Sequence, residues 1–158
     1  MKQIYTAKVD KVFVPLTNAK WLEARSEALG KLSAKIKVSK SGDDVKVSMT
    51  RRVKRALSGV VAKVLPSESE LQFEETWMPG GEGGYTGRMT MVIVGQPVKM
   101  TADFSLLPSG KGCVYEIEHE TRCAVLLIGS TIAKFAKGQV EDDCEEEFAY
   151  TVAALKKN

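Results

Sequence analysis

Residues 3–9, QIYTAKV, place Tyr5, Ala7 and Val9 on alternate positions, the period of a strand. Asp10 then precedes KVFVPLTN, where Val12, Phe13 and Leu16 form the stripe of a short helix with Asp10 as its N-cap. Pro15 restricts Val14 and keeps that helix brief. A second helix is predicted over AKWLEARSEAL, with Trp21, Leu22, Arg25 and Leu29 on one side and Gly30 as its stop. From there the period falls to two. Ala34, Ile36 and Val38 alternate with polar residues, SGDD makes a turn, and Val45, Val47 and Met49 alternate in the next strand. RALSGVVAKVL reads as a loop with a short helical turn, closed by Pro66.

Four more amphipathic strands follow. Their apolar positions are Leu71, Phe73 and Trp77; then Tyr85, Met89, Met91 and Ile93; then Val98, Met100, Ala102, Phe104 and Leu106; then Tyr115, Ile117, His119 and Thr121. The turns PGGEGG, GQP and PSGKG separate them. Short turns between amphipathic strands imply an antiparallel sheet with one apolar face to be covered. The cover is a last helix over residues 129–156. Ile128, Ile132, Phe135, Val140, Phe148, Val152 and Leu155 recur at three- and four-residue spacing. Its outer face carries Lys134, Lys137, Glu141, Asp142, Glu145 and Glu146. The apolar segment Val125 to Ile128 is expected to lie over the gap between sheet and helix. The prediction is an α+β chain in the order β-α-α-β6-α, seven strands in all, forming one domain over residues 1–158.

Composition changes this picture little. With 158 residues, 44% hydrophobic and 27% charged, the chain is long enough for a sizeable core with room for a cavity. A net charge of +3 is weak for a nucleic-acid partner, and the run Arg51, Arg52, Lys54, Arg55 reads as a solvated strand end. Cys113, Cys123 and Cys144 form no CxxC pair, which argues against a disulfide framework or structural zinc and fits a reducing, cytoplasmic setting. The N-terminus has no signal-peptide pattern, and no apolar run approaches the roughly 18 residues of a membrane span.

The order of elements resembles the START-like superfamily, also called SRPBCC or helix-grip. Two stretches sharpen the resemblance: GQPVKMTADFSLLPSGKG and VLLIGSTIAKFAKGQVEDDCEEEFAYTVAAL. They are similar to an uncharacterised START-like branch known from actinobacteria, with a G-x-Pro-V…L-x-Pro-x-G-x-G hairpin and a V-P-L-I-G-G-K-I-E helix entrance. Leu126 stands where that branch often has proline, and Ser130 where it often has a second glycine. The resemblance implies a curved seven-stranded antiparallel sheet wrapped around the C-terminal helix, with an elongated cavity between them. It implies a hydrophobic small molecule or lipid as partner.

Candidate lining residues follow from strand parity and the helix stripe. On the strands they are Met49, Phe73, Trp77, Met89, Met91 and Met100, and then Phe104, Tyr115, Ile117 and His119. On the helix they are Ile132 and Phe135. Methionines suit an adaptable apolar wall, and an ordinary filled core is the competing reading. His119, the only histidine, is a candidate head-group anchor or acid/base, with Tyr115 beside it; a hydrogen-bonded core histidine is the plainer reading. There is no GxSxG or HExxH, and no paired His/Cys spacing that points to metal. Cys123 reads as buried and inert, MPGGEGGYTG as a hairpin turn, and EDDCEEE as a solvated helix face. No cofactor is implied. The leading expectation is non-catalytic ligand binding. A cyclase/dehydratase-type enzyme and a protein-interaction module are the alternatives.

Overall fold

The computed structural model describes residues 1–157. The elements are β1 (Lys2–Tyr5), α1 (Val9–Leu16), α2 (Ala19–Ala28), β2 (Ser33–Ser41), β3 (Asp44–Lys54), α3 (Val61–Val64), β4 (Glu68–Pro79), β5 (Tyr85–Ile93), β6 (Val98–Ser109), β7 (Gly112–Cys123) and α4 (Gly129–Leu155). The strands form one sheet in the order β1-β7-β6-β5-β4-β3-β2, and every neighbouring pair is antiparallel. This is the α+β helix-grip arrangement expected, with α4 as the C-terminal helix against the seven-stranded sheet.

Local chemistry explains most boundaries, and moves two of them. β1 stops at Tyr5 rather than Val9, because Val9 opens α1. Asp10 is not the N-cap of α1. Lys8 occupies that position without a side-chain cap, and Asp10 sits in the first turn, where a carboxylate favours the positive end of the helix. Pro15 lies in the last turn, and the helix ends one residue later. Asn18 caps α2 by accepting from the Trp21 amide at 3.0 Å. Gly30 follows α2 with φ +71, a left-handed value that glycine adopts at little cost.

At 27 residues and about 1.5 Å per residue, α4 is a rod of about 40 Å. Two rows at four-residue spacing run along its inner side. Ala136, Val140, Cys144 and Phe148 form an apolar row, and Gln139, Asp143 and Glu147 a polar one. The buried apolar residues fall into two clusters. One gathers Val12, Leu16, Leu22, Trp77, Phe104, Tyr115 and Phe148. The other gathers Val53, Leu65, Met91, Val98, Met100 and Ile132.

The entrance to α4 differs from expectation. Leu126 is 89% exposed and Leu127 fully exposed, so they do not lie over the gap between sheet and helix. Leu127 has φ +66, which turns the chain outward just before the helix. Among the described residues, no helix is long and apolar enough to cross a membrane.

Candidate functional site

Between the inner face of the sheet and α4 lies a hollow. Its walls come from β1, α1, α2, β3, β4, β5, β6, β7 and α4, with the β3–β4 connection at one side. Its free interior is about 100 Å³, and about 1180 Å³ of space lies between its walls once the open mouth is counted. The smaller figure governs what fits without motion. It exceeds the roughly 10–15 Å³ that one water needs. It falls below the roughly 300–1,000 Å³ of a drug-sized ligand site. A larger occupant therefore requires its walls to yield, and Met49, Met89, Met91 and Met100 are the wall residues best able to do so.

Nine of the twelve expected lining residues face the hollow: Met49, Phe73, Trp77, Met89, Met91 and Met100, together with Tyr115, Ile117 and Phe135. Three do not. The Phe104 ring packs 4.5 Å from Trp77 and lies over Gly87, where any Cβ would collide with it; the ring fills that gap instead of reaching the hollow. Ile132 is completely buried among Val53, Leu65 and Val98 at the start of α4. His119 turns its Nε2 toward Glu141 Oε1, 3.5 Å away on α4, and its Nδ1 is buried without a partner. Burial holds its pKa below the usual histidine value, with Glu141 offsetting part of the effect. His119 and Tyr115 are therefore not assembled as an acid/base pair at the hollow.

The structure adds a polar group that the hydrophobic pattern concealed. Arg51 and Arg55 are not a solvated strand end. Arg51 is 3% exposed and reaches Glu147 Oε1 at 2.5 Å. Arg55 bonds Asp143 Oδ2 at 2.6 Å and Gln139 Oε1 at 2.5 Å. Arg25, on α2, meets Glu147 Oε2 at 2.8 Å. Lys31 pairs with Asp143 at 2.8 Å. The run EDDCEEE is likewise only partly a solvated face, because Asp143, Cys144 and Glu147 turn inward. These pairs tie α4 to α2, to the segment after it, and to β3 and the residue that follows it.

Glu75 stands in the same wall, between Phe73 and Trp77 on β4, and its Oε2 accepts from Trp77 Nε1 at 3.0 Å. It is half-buried and lines the hollow. Burial raises its pKa, and the Trp77 bond and Arg25 only partly oppose that. Glu147 behaves oppositely. Burial pushes its carboxyl upward, but Arg25 and Arg51 outweigh it, and the net shift is down. Burial also raises Tyr115 well above the usual phenol value and pushes the Cys144 thiol up to about 12, so both stay neutral near neutral pH. Two buried polar atoms here make no well-formed hydrogen bond, Arg25 Nε and the Tyr5 hydroxyl, which has Thr151 beside it.

Strand parity was the signal available for these residues. Arg51 shares the face of Met49 and Val53, and Glu75 the face of Phe73 and Trp77. Among the described residues, no group of three or more His, Cys, Asp or Glu is placed to hold a metal ion.

Comparison with other proteins agrees with this architecture. The family described as "Protein of unknown function (DUF2505)" matches residues 1–155. No curated protein matches the sequence. Several solved structures share the fold. TTHA0849 from Thermus thermophilus superposes with TM-score 0.62 at 15% identity, covering 98% of this chain and 95% of that one. A STAR-related lipid transfer protein fragment from Xanthomonas axonopodis gives TM-score 0.56 at 15% identity, covering 95% and 82%. CV1439 from Chromobacterium violaceum gives 0.51 at 15% identity, covering 98% and 94%.

Proposed function

This chain belongs to the DUF2505 family of proteins of unknown function, and we propose that it binds a hydrophobic small molecule or lipid between sheet and α4, without catalysis. The observation that carries the reading is the hollow itself, walled by methionines and aromatics with a few polar groups at one side. The fold shared with a protein described as a STAR-related lipid transfer protein supports it. Apolar surface buried by the ligand supplies the affinity, at about 25 cal/mol per Å². On this reading residues 1–158 act as one START-like domain in the cytoplasm; Asn158 lies outside the described residues. The hairpin at 95–112 and the helix entrance at 125–133 support a place in the START-like branch common in actinobacteria.

The test is native mass spectrometry of protein purified without detergent, followed by organic extraction. A discrete adduct of one small apolar molecule is expected. Protein that emerges unladen, and then takes up neither an alkyl alcohol nor an alkyl acid in titration, would overturn the reading.

A further inference from the structure

The polar side of the hollow is richer in donors than its acceptors can use. Glu147 accepts a hydrogen bond from Arg51 and forms an ion pair with Arg25. Arg25, 6% exposed, is left with a buried Nε that bonds nothing. Arg51 spends its Nε on the Met49 thioether at 2.9 Å, a weak acceptor. The Tyr5 hydroxyl, also buried, has Thr151 beside it but no well-formed hydrogen bond, and Thr151 gives its own proton to the Glu147 carbonyl at 2.7 Å. A buried donor without an acceptor is costly, so this corner is built for a group that arrives with acceptors.

Charge in the lining is balanced unless Glu75 carries a proton. The charged side chains lining the hollow are Arg25, Arg51 and Arg55 against Glu75, Asp143 and Glu147, three of each sign. Lys31, paired with Asp143 at the margin, adds to the positive side. Glu75 is the member of this set that burial drives toward its neutral form. With Glu75 neutral, the lining itself holds three positive and two negative groups, a surplus of positive charge.

We infer that this corner receives the carboxylate head of an amphiphilic acid, seated on Arg25 and Arg51 beside Tyr5, with its apolar body along the methionine wall. The inference rests on the ligand-binding reading above and narrows it to one ligand class. A planar carboxylate matches the guanidinium fork, and a proton on Glu75 would leave one positive charge over for it. Glu75 acts as the charge gate. Protonated, it tolerates the incoming anion; ionised, it competes with the anion for the same surplus. The other groups facing it do not replace it in that role. Those that act on it are Arg25 from α2, Arg51 from β3, Glu147 from α4 and Tyr115 from β7; Tyr5 from β1 and Cys144 from α4 also line the hollow. Tyr5, Tyr115 and Cys144 are held neutral by burial, and Glu147 is held ionised by its two arginines.

The test compares three ligands that share one chain, octanoate, octane-1-sulfonate and octan-1-ol, by isothermal titration calorimetry on the full chain. Both anions are expected to bind one-to-one and about tenfold or more tighter than the alcohol, the scale of a charge-assisted hydrogen bond. Affinity for the sulfonate, whose own charge is fixed, is expected to weaken as pH rises through the Glu75 titration, with proton uptake on binding. Glu75→Gln should keep the affinity and lose that pH dependence. Arg25→Met should bring the anions down to the level of the alcohol. The alcohol binding as tightly as the anions would overturn the head-group inference and leave the cavity reading intact. A pH profile unchanged in Glu75→Gln would overturn the gate. Failure of all three ligands to bind would overturn the cavity reading as well.

Discussion

In the cluster beneath α1 and α2 the filling is aromatic, whereas beneath α3 and the start of α4 it is aliphatic and methionine-rich. Phe13 stacks on Tyr85 at 3.6 Å, Trp77 meets Phe104 at 4.5 Å, and Tyr115 meets Trp77 at 5.8 Å and Phe148 at 5.7 Å. Rings interlocked in this way have few alternative rotamers and resist rearrangement. The other cluster packs Met91 and Met100 with Val53, Leu65, Ile93 and Val98, and its lid is a helix of only four residues. Unbranched side chains under a short lid repack at lower cost. The difference teaches which part of the hollow would give way to an occupant: the methionine side repacks at lower cost than the aromatic side.

The largest expected effects strike what is rigid. Glu147→Ala leaves Arg25 and Arg51 buried without their shared carboxylate, and should cost about 3–5 kcal/mol in urea unfolding. Trp77→Ala should cost a similar amount, about 3–5 kcal/mol, by opening a cavity in the aromatic cluster. On the yielding side, Met91→Leu should cost less than about 1.5 kcal/mol. Equal losses for Trp77→Ala and Met91→Leu would erase the contrast between the two ends.

Two carboxylates sharpen it through pH. Glu75 has a raised folded pKa, so the stability it contributes is complete below the unfolded value of about 4.3 and fades as pH rises through the folded one. Glu147 has a lowered folded pKa, so its contribution is complete above about 4.3 and fades as pH falls through the folded one. Unfolding curves of Glu75→Gln against pH should therefore lack the wild-type decline above that value; a decline of unchanged size would refute the assignment. The smallest effect belongs to Leu126→Ser at the exposed α4 entrance, within about 0.5 kcal/mol of wild type by the same unfolding assay.

The strands and α4 were legible because alternation and three-to-four spacing report directly on burial. That signal treats a charge as an outward residue. It found Met49 and passed over Arg51 two positions later on the same face, and it found Phe73 and Trp77 and passed over Glu75 between them. Partners decide such cases. Arg51 is buried because Glu147 waits 96 residues away, a relation that no local window contains. The converse error concerns Leu126 and Leu127, apolar residues read as covered. A left-handed turn at Leu127 sends them outward, and backbone dihedrals are invisible to a hydrophobic count. His119 had the right parity for the inner face but meets Glu141 on α4 and never reaches the hollow.

The pairing of β1 with β7 sets the order in which this protein can be assembled. Lys2 through Tyr5 find their partners at Glu116 through Cys113, more than a hundred positions later. On the ribosome, the first strand therefore emerges long before its neighbour exists. The β2–β3 hairpin and the hairpins from β4 to β7 close over short turns, while β3 reaches β4 through α3, and all of them can form as they appear. The edge and the helix wait. Until β7 and α4 are made, the apolar face of the nascent sheet lacks its cover and stays open to chaperones and to aggregation.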